Sequence, residues 1–364
     1  MVNRHGSVEN LDMRLPRPDF WKGRKVLITG HTGFKGVWLA TWLNRMGAQV
    51  YGISLAPETR PNLYEATNIA RITESAFCDI RNTDEIAARL ARIEPDIVFH
   101  LAAQALVLRS YEQPLETFQT NVMGTANVLN AIRNISQTRV AVVITTDKVY
   151  ENLELSMPFR EDDKLGGHDP YSASKAAAEI LVASFRSSAL AGKAALSTMR
   201  AGNVMGGGDW SENRLIPDAV RAWTKGETLV VRNPASVRPW QHVLEPLAGY
   251  LISAEMTWDN PALAAAYNIG PDSGDVATVK AVIALAQSSF GKGEFMFSVD
   301  EPKKQEAVHL ALDNSKARRE LNVSPRWKLT TAVQRTMAWY WQFDGGASAS
   351  RLCNDDIDAY ETVP

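Results

Sequence analysis

The chain has 364 residues, of which 45% are hydrophobic and 22% charged, and its formal net charge at pH 7 is −2. This composition fits a globular protein with a sizeable core, in two domains or one large α/β unit. It excludes the strongly basic surface of a nucleic-acid-binding protein, and no apolar run reaches the roughly 18 residues of a membrane span. The two cysteines, Cys78 and Cys353, stand in no pair motif, which favours a reducing cytoplasm.

Hydrophobic spacing predicts alternating strands and helices between residues 25 and 200. Short apolar runs such as KVLIT indicate buried strands, and apolar residues three or four apart indicate helices. The predicted strands are 25–29, 49–55, 96–101, 140–145 and 195–200, and the predicted helices are 34–46, 83–93, 122–132 and 171–185. This order predicts an α/β fold, a Rossmann-type doubly wound parallel sheet with right-handed crossovers.

Beyond about residue 206 this alternation loosens, and glycine, proline and tryptophan become dense, as in MGGGDW and RNPASVRPWQH. We predict a smaller C-terminal substrate-binding lobe over the carboxyl ends of the strands, where open α/β sheets bind ligands. The predicted divisions are a loose N-terminal arm (1–20), a Rossmann domain (21–202), a partly interleaved substrate lobe (203–343) and a frayed tail (344–364).

A glycine-rich turn links the first predicted strand to the first long helix. Gly30, Gly33 and Gly36 lie three residues apart in GHTGFKG. The first glycine permits a tight turn, the second lets the backbone approach a pyrophosphate, and the third lets helix and strand pack closely. In this strand–turn–helix context the motif predicts dinucleotide binding rather than a plain tight turn.

The sequence does not decide which form of the dinucleotide, with or without a 2′-phosphate, is preferred. The acidic residue that usually reads the ribose about 20 residues further on is missing, because the second strand ends at Ser54 and Leu55. Arg60 lies nearby and could favour a 2′-phosphate. Asp79 follows a further short strand, where it could hold the adenine amino group or, alternatively, cap the helix that starts near Thr83.

A Tyr-x-x-x-Lys pair, Tyr171 and Lys175, stands at a predicted helix start, about 25 residues after a strand that ends at Thr146. Spacing of four places both side chains on one helix face. An ammonium near a phenol lowers its pKa from about 10, which would make Tyr171 a usable base. The alternative is an exposed amphipathic pair.

These motifs together resemble the extended short-chain dehydrogenase/reductase family over roughly residues 20–340. The resemblance rests on TGHTGFKG, DIR, HLAAQ, TNVMGT, TTDKVY, YSASK and RAGNV. Within that family the chain is similar to nucleotide-sugar 4,6-dehydratases, most of which carry Thr-Asp-Glu where this sequence has Thr146-Asp147-Lys148. This departure resembles the CDP-glucose branch, which implies a CDP-glucose substrate and a place in 3,6-dideoxyhexose synthesis for surface polysaccharide such as O-antigen.

The resemblance implies NAD as cofactor. The residues expected to bind it are Gly30, Thr32, Gly33, Phe34, Lys35, Gly36, Ser54, Asp79, Ile80, Leu101, Ala102, Ala103, Gln104, Tyr171, Lys175 and Asn203. Among them Tyr171 and Lys175 would also be catalytic.

The neighbouring Asp147 and Lys148 suit an elimination of water across C5 and C6 of a sugar. Oxidation at C4 acidifies the C5 proton, so a base must remove it while an acid protonates the departing 6-OH. We expect Thr146 and Tyr171 at the C4 oxygen, Asp147 as acid and Lys148 as base, with desolvation neutralising both members of the pair. If the pair is only a salt bridge at a strand end, a nicotinamide-dependent epimerase becomes the better interpretation. The other alternative is a dehydratase or 4-epimerase that acts on a dTDP-, GDP- or UDP-linked sugar.

Arginine provides bidentate donors for a diphosphate. The expected substrate-binding residues are Arg109, Asn203, Arg214, Arg232, Arg238, His242 and Glu306, although each arginine could instead form a surface ion pair. No metal-ligand spacing occurs in the sequence. The resemblance also implies a homodimer or homotetramer, paired through helices near 114–134 and 171–188.

Overall fold

The computed structural model, which describes residues 14–154, 157–298 and 309–363, is built around a seven-stranded parallel sheet. The strands, in chain order, are β1 (Lys25–Thr29), β2 (Gln49–Ser54), β3 (Glu74–Phe77), β4 (Ile97–His100), β5 (Val140–Ile144), β6 (Ala195–Ala201), β7 (Val204–Met205), β8 (Thr228–Val231), β9 (Val237–Arg238), β10 (Gln241–His242), β11 (Ala266–Ile269), β12 (Ala277–Thr278) and β13 (Glu294–Phe297). The order across the sheet is β11-β6-β5-β4-β1-β2-β3. The predicted Rossmann-type sheet is confirmed.

Helices cover both faces of this sheet. They are α1 (Pro18–Trp21), α2 (Phe34–Arg45), α3 (Leu63–Thr67), α4 (Thr83–Ile93), α5 (Val107–Glu112), α6 (Pro114–Phe118), α7 (Thr125–Arg133), α8 (Pro170–Ser187), α9 (Leu215–Lys225), α10 (Leu244–Asp259), α11 (Val279–Phe290), α12 (Ser315–Leu321), α13 (Leu329–Asp344) and α14 (Ala349–Glu361). A π-helical turn, Gln119–Gly124, joins α6 to α7. Within the described ranges, no helix has both the length and the apolar character that a membrane crossing requires.

Alternation along the central strands divides the apolar core into two layers. Val26 and Ile28 of β1 pack into a cluster with α2, α10 and the C-terminal helices, whereas Leu27 between them packs into a cluster with α4, α7 and α8. Successive strand residues point to opposite faces, so one short strand serves both layers.

The chain reverses its direction of winding between β1 and β4. From β1 it proceeds through β2 and β3 to one edge, and from β4 through β5, β6 and β11 to the other. Such a switch point leaves a crevice at the carboxyl ends of the strands. The two-stranded pairs β7–β10, β9–β12 and β8–β13 lie outside the main sheet.

Two parts of the C-terminal half differ from expectation. Strand β11, inside the region assigned to the substrate lobe, pairs with β6 and completes the main sheet. The tail is not frayed, because α14 buries Leu352, Cys353, Ile357 and Tyr360. Its polar composition hid one apolar stripe at helical spacing.

The described end of the N-terminal arm is also held, not loose. Glu255, fully buried on α10, accepts hydrogen bonds from the backbone nitrogen of Arg17 at 2.7 Å and from Trp21 Nε1 at 2.8 Å. The Arg17 guanidinium pairs with the same carboxylate at 3.0 Å. Residues 1–13 of the predicted arm lie outside the described residues.

A second buried carboxylate, Glu245, ties α14 to α10. It accepts hydrogen bonds from the Tyr360 hydroxyl at 2.9 Å and from the backbone nitrogens of Arg326 and Trp327 at 3.1 and 2.6 Å. Burial outweighs these donors and raises the pKa of Glu245 from 4.5 to about 7. The folded protein therefore holds the Glu245 proton more tightly than the unfolded chain does.

We expect Glu245→Gln to flatten the pH dependence of stability. The raised pKa makes the Glu245 contribution complete below about pH 4.5 and lost as pH rises through about 7. The free energy of unfolding of the parent should thus fall, relative to the variant, by about 3 kcal/mol between pH 5 and pH 8 in urea titrations. Glu227→Gln, at an exposed site, is the control. Parallel curves for parent and Glu245→Gln would contradict the expectation.

Candidate active site

The turn between β1 and α2 forms a backbone cradle at the carboxyl edge of the sheet. Gly30 has a φ of +78°, and a Cβ there would lie 2.7 Å from the backbone nitrogen of Ala102. A Cβ on Gly36 would lie 2.2 Å from the carbonyl oxygen of Gly30. Only glycine allows these approaches. The free N–H groups and the positive dipole end of α2 meet this turn, which suits a pyrophosphate.

The cradle opens into one continuous cleft of about 1290 Å³. A pocket for one small ligand occupies roughly 300–1,000 Å³, so the cleft has room for a dinucleotide and a second molecule. Every residue predicted to bind the cofactor lines it: Gly30, Thr32, Gly33, Phe34, Lys35, Gly36, Ser54, Asp79, Ile80, Leu101, Ala102, Ala103, Gln104, Tyr171, Lys175 and Asn203. Their placement agrees with the prediction, and their contacts with a ligand stay predictions.

The end of β2 is neutral at the position where an acid usually lies. The Ser54 hydroxyl is 2.8 Å from that of Thr32, which also donates to the carbonyl oxygen of Leu55 at 2.9 Å. Asp79 forms an ion pair with Arg81 at 2.6 Å, and these hydrogen bonds lower the pKa of Asp79. The alternative in which Asp79 caps α4 is wrong, because Asn82 accepts from the helix backbone instead.

Helix α8 presents Tyr171 and Lys175 to the end of β5. Asp169 caps this helix by accepting from the backbone nitrogen of Ser172 at 2.9 Å. Lys175 Nζ donates to the carbonyl oxygen of Ile144 at 3.0 Å, and burial lowers the pKa of Lys175 to about 8. The ammonium is thereby anchored to the strand that leads into Thr146.

The expected lowering of the Tyr171 pKa by Lys175 is not met in this structure. Burial dominates and raises the pKa of Tyr171 to about 12. The largest opposing influence is a hydrogen bond with Thr146. A phenol in this setting needs further positive charge beside it before it can accept a proton near neutral pH.

Asp147 and Lys148 follow Thr146 on a short 3₁₀ turn. Thr146 donates to Asp147 Oδ1 at 3.0 Å, and Lys148 Nζ lies 3.7 Å from the same oxygen. The Asp147 side chain is 2% exposed and that of Lys148 is 27% exposed. Among the described residues, Asp147 Oδ2 has no hydrogen-bond partner. A buried, unpartnered carboxylate oxygen is costly, which argues against a purely structural salt bridge.

Lys35, at the start of α2, adds a third cation to this end of the cleft. Burial, together with Arg214 and Lys175, lowers the pKa of Lys35 to about 7, and Asp147 and Asp209 oppose this shift. The cofactor cradle and the chemical end of the cleft are therefore electrostatically coupled through one side chain.

The predicted substrate residues divide into three groups. The cleft is lined by Arg109, Asn203, Arg214, Arg232 and Arg238. Two of these arginines also form ion pairs, Arg214 with Asp209 at 3.2 Å and Arg109 with Glu58 at 2.9 Å. Glu306 lies outside the described residues. The third group is His242, which is not part of the cleft lining.

His242 does not reach the cleft. Its side chain is fully buried, with ring centroids 5.9 Å from Trp38 and 4.8 Å from Trp327. Burial lowers the pKa of His242 to about 3, so the imidazole is neutral. His242 is a core residue, and the prediction that it binds substrate was wrong. The segment between Arg238 and His242 is not a helix, so a separation of four residues does not place the two side chains on the same side.

Sequence reasoning missed the acid that organises the GGGDW segment. Asp209 is 3% exposed, pairs with Arg214 and accepts from the backbone nitrogen of Ser211 at 3.0 Å. Its carbonyl oxygen accepts from the Tyr340 hydroxyl at 2.6 Å. The only signal in the sequence was an acid among three glycines and a tryptophan, in the same segment as Arg214.

Comparison with known proteins agrees with this arrangement. A family profile described as GDP-mannose 4,6 dehydratase matches residues 27–336. The chain is 42% identical to a CDP-glucose 4,6-dehydratase of Salmonella typhimurium, over 88% of this chain and 92% of that protein. It is 28% identical to a dTDP-glucose 4,6-dehydratase of Neisseria meningitidis, over 87% and 93%.

Solved structures share the fold at lower identity. A UDP-glucose-4-epimerase from Stenotrophomonas maltophila with bound NAD superposes with a TM-score of 0.77 at 24% identity, covering 89% of this chain and all of that one. A dTDP-glucose 4,6-dehydratase from Bacillus anthracis in complex with NAD gives a TM-score of 0.74 at 20% identity, covering 89% and 98%. The profile match and the 42% identity together show that the chain belongs to the GDP-mannose 4,6 dehydratase family of extended short-chain dehydrogenases/reductases.

Proposed function

We propose that the protein is an NAD-dependent CDP-glucose 4,6-dehydratase, which converts CDP-glucose into CDP-4-keto-6-deoxyglucose. Identity of 42% along nearly the whole of a CDP-glucose 4,6-dehydratase supports the substrate. The observation that carries the reaction type is the buried Asp147 carboxylate with Lys148 3.7 Å away, on the turn beside Tyr171. An elimination needs an acid and a base side by side, and this turn supplies both.

The cradle and the cleft fit NAD. Gly30 and Gly36 leave space that a Cβ would fill, and Thr32 and Ser54 present hydroxyls at the end of β2. With NAD held there, the nicotinamide provides a hydride acceptor for C4, positive charge near the phenol and, after water loss, a hydride donor for C6. We expect Lys175, which lines the cleft, to orient the nicotinamide ribose.

Tyr171 and Thr146 serve the oxidation at C4. The Tyr171 oxygen accepts the 4-OH proton as the C4–H bond breaks, and Thr146, already hydrogen-bonded to Tyr171, steadies the same sugar oxygen. Because burial raises the pKa of Tyr171 to about 12, proton transfer depends on the positive charge that surrounds it.

Lys148 and Asp147 serve the elimination. The C4 ketone makes the C5 proton acidic, and neutral Lys148 removes that proton. Asp147, in its protonated form, gives its proton to the 6-OH as the C6–O bond breaks and water leaves. The pair thus exchanges one proton for another, and no net charge change occurs in a site where Asp147 is 2% exposed.

Arginines around the outer cleft are suited to the diphosphate of the sugar nucleotide. Arg238 is 5% exposed and lies on β9, while Arg214 is held by Asp209 at the start of α9. Arg232 lies on the exposed rim, and Asn203 lies between β6 and β7 near the reacting groups. Guanidinium groups bind phosphate oxygens in pairs, which would orient the sugar toward Tyr171.

The same proposal places the product in 3,6-dideoxyhexose synthesis for lipopolysaccharide O-antigen, and the enzyme in the cytoplasm. Both cysteines are free and buried, which supports a reducing compartment.

An exposed apolar face supports a homo-oligomer. Leu115 on α6, Met123 on the π-helical turn and Ile180 on α8 are 78%, 58% and 62% exposed. These three elements pack against one another, so the side chains lie on neighbouring elements of one helical layer. Apolar patches of this kind mark protein–protein contacts. We infer that two chains pair through this layer.

Mass spectrometry with CDP-, dTDP-, GDP- and UDP-glucose, each with added NAD, tests the proposed reaction. We expect loss of one water from CDP-glucose and no loss from the other three. An isomer of unchanged mass would indicate an epimerase and leave Asp147 and Lys148 as a structural pair. Dehydration of another sugar nucleotide instead would keep the mechanism and replace the substrate.

Lys148→Ala separates the two half-reactions. Removing the base should lower the rate of water loss by about 10²- to 10⁴-fold, while fluorescence still reports reduction of bound nicotinamide by substrate. Tyr171→Phe should block both events and retain NAD binding in calorimetry. The matched control is Lys164→Ala, an exposed lysine that pairs with Glu151. Elimination at the parental rate in Lys148→Ala would rule out Lys148 as the base.

Charge on the apolar face should separate the subunits. Because a carboxylate on this face would lose its hydration in the proposed interface, Leu115→Glu with Ile180→Glu should give a monomer in analytical ultracentrifugation. Met296→Glu, at another exposed apolar position on β13, should leave the oligomer intact. An unchanged sedimentation coefficient in the double variant would place the interface elsewhere.

A further inference from the structure

A buried ring of polar contacts surrounds the turn that carries Thr146, Asp147 and Lys148. On its entry side, the Thr145 hydroxyl donates to Glu179 Oε1 at 2.5 Å. On its exit side, the Tyr150 hydroxyl accepts from Arg200 Nη1 at 2.9 Å. The ring closes because Arg200 Nη2 donates to Glu179 Oε2 at 2.9 Å.

The two charged members of this ring are deeply buried. The side chains of Glu179 and Arg200 are 3% and 4% exposed. Glu179 also accepts from the Thr198 hydroxyl at 2.8 Å, and Arg200 also donates to the carbonyl oxygen of Glu161 at 3.0 Å. A buried ion pair of this kind adds little net stability compared with apolar residues of similar volume. The ion pair between Glu179 and Arg200 instead fixes geometry, which here is that of the turn carrying Thr146, Asp147 and Lys148.

Helix α8 relates this ring to the phenol. Tyr171, Lys175 and Glu179 are spaced four residues apart, so they form one stripe along the helix. Lys175 holds the carbonyl oxygen of Ile144 and Glu179 holds the hydroxyl of Thr145. Two successive residues at the end of β5 are thereby hydrogen-bonded to α8, the helix that carries Tyr171.

We infer that Glu179 and Arg200 are positioning residues, which fix the acid–base turn at Asp147 and Lys148 relative to Tyr171. The inference rests on the proposed dehydratase function and extends it to two residues that lie outside the cleft lining. The ring of polar contacts holds the turn at both ends. If either end is loosened, Asp147 and Lys148 can move away from the sugar. Misplacement by about 1 Å costs up to roughly 100-fold in rate.

The charge of Glu179 also acts on Lys175. The charged and titratable groups that face Lys175 are Tyr171 and Glu179 on its own helix, Lys35 from α2 and His100 from β4. Of these only Glu179 is anionic, and it opposes the burial that lowers the pKa of Lys175 to about 8. Without the Glu179 carboxylate, the Lys175 ammonium loses its proton at a lower pH.

Glu179→Gln tests the positioning role, because the amide keeps the shape and removes the charge. We expect kcat to fall by about 10- to 100-fold while KM for CDP-glucose stays within about twofold, since no substrate contact is removed. The alkaline limb of the kcat–pH profile should move to lower pH. Unchanged kcat and an unmoved limb would overturn the inference.

A double variant separates positioning from folding. Glu179→Leu with Arg200→Met replaces the ion pair by apolar groups, which should recover the stability that Glu179→Gln loses. The turn remains untethered, so kcat should stay low. Recovery of kcat together with stability would show that the pair is only structural.

Glu255→Gln is the matched control, since Glu255 is an equally buried carboxylate that pairs with Arg17 far from the cleft lining. It should lower the melting temperature and leave kcat unchanged. The parent protein is assayed first on CDP-glucose. Failure of the parent to release water overturns the proposed function, whereas a working parent with a fully active Glu179→Gln overturns this inference alone.

Discussion

The common direction of the seven strands decides where chemistry can occur in this protein. Parallel strands bring all their carboxyl ends to one edge, and the reversal of winding between β1 and β4 opens a crevice there. Segments far apart in sequence meet at that edge: the glycine cradle after β1, the Thr146 turn after β5 and the loop after β6. Helix α8 then crosses behind the crevice and adds Tyr171 and Lys175. No single segment contains the site.

Burial is the second constraint, and it acts on the phenol and on two lysines of the cleft. It raises the pKa of Tyr171 and lowers those of Lys175 and Lys35, so each side chain is pushed toward its neutral form. Neutral groups can exchange protons with a sugar at little cost, and charges brought in by ligands act strongly in such surroundings. The pKa values of these side chains therefore depend on the charge of the bound ligands. At Lys175, the negative charge of Glu179 opposes the neutralising effect of burial.

The sequence predicted the features that local spacing encodes. The glycine triplet, the Tyr171–Lys175 pair and the Thr146 turn each depend on neighbours within a few residues, and the structure places all of them on the cleft. Features set by distant partners were missed or wrong. His242 is enclosed by Trp38 and Trp327, and Glu179 meets Arg200 because β6 pairs with β5 and packs against α8. No periodicity in one segment reports such partners.

Helix α14 has a consequence for the order in which the molecule can be made. Trp42 Nε1 donates to Glu361 at 2.7 Å across 319 residues of sequence, and Tyr360 packs beside the same indole at 5.7 Å. The part of α2 that α14 covers therefore stays exposed on the ribosome until residues near 361 have emerged. Contacts of such long range also slow folding. During synthesis this apolar face of α2 is a surface that a chaperone can protect.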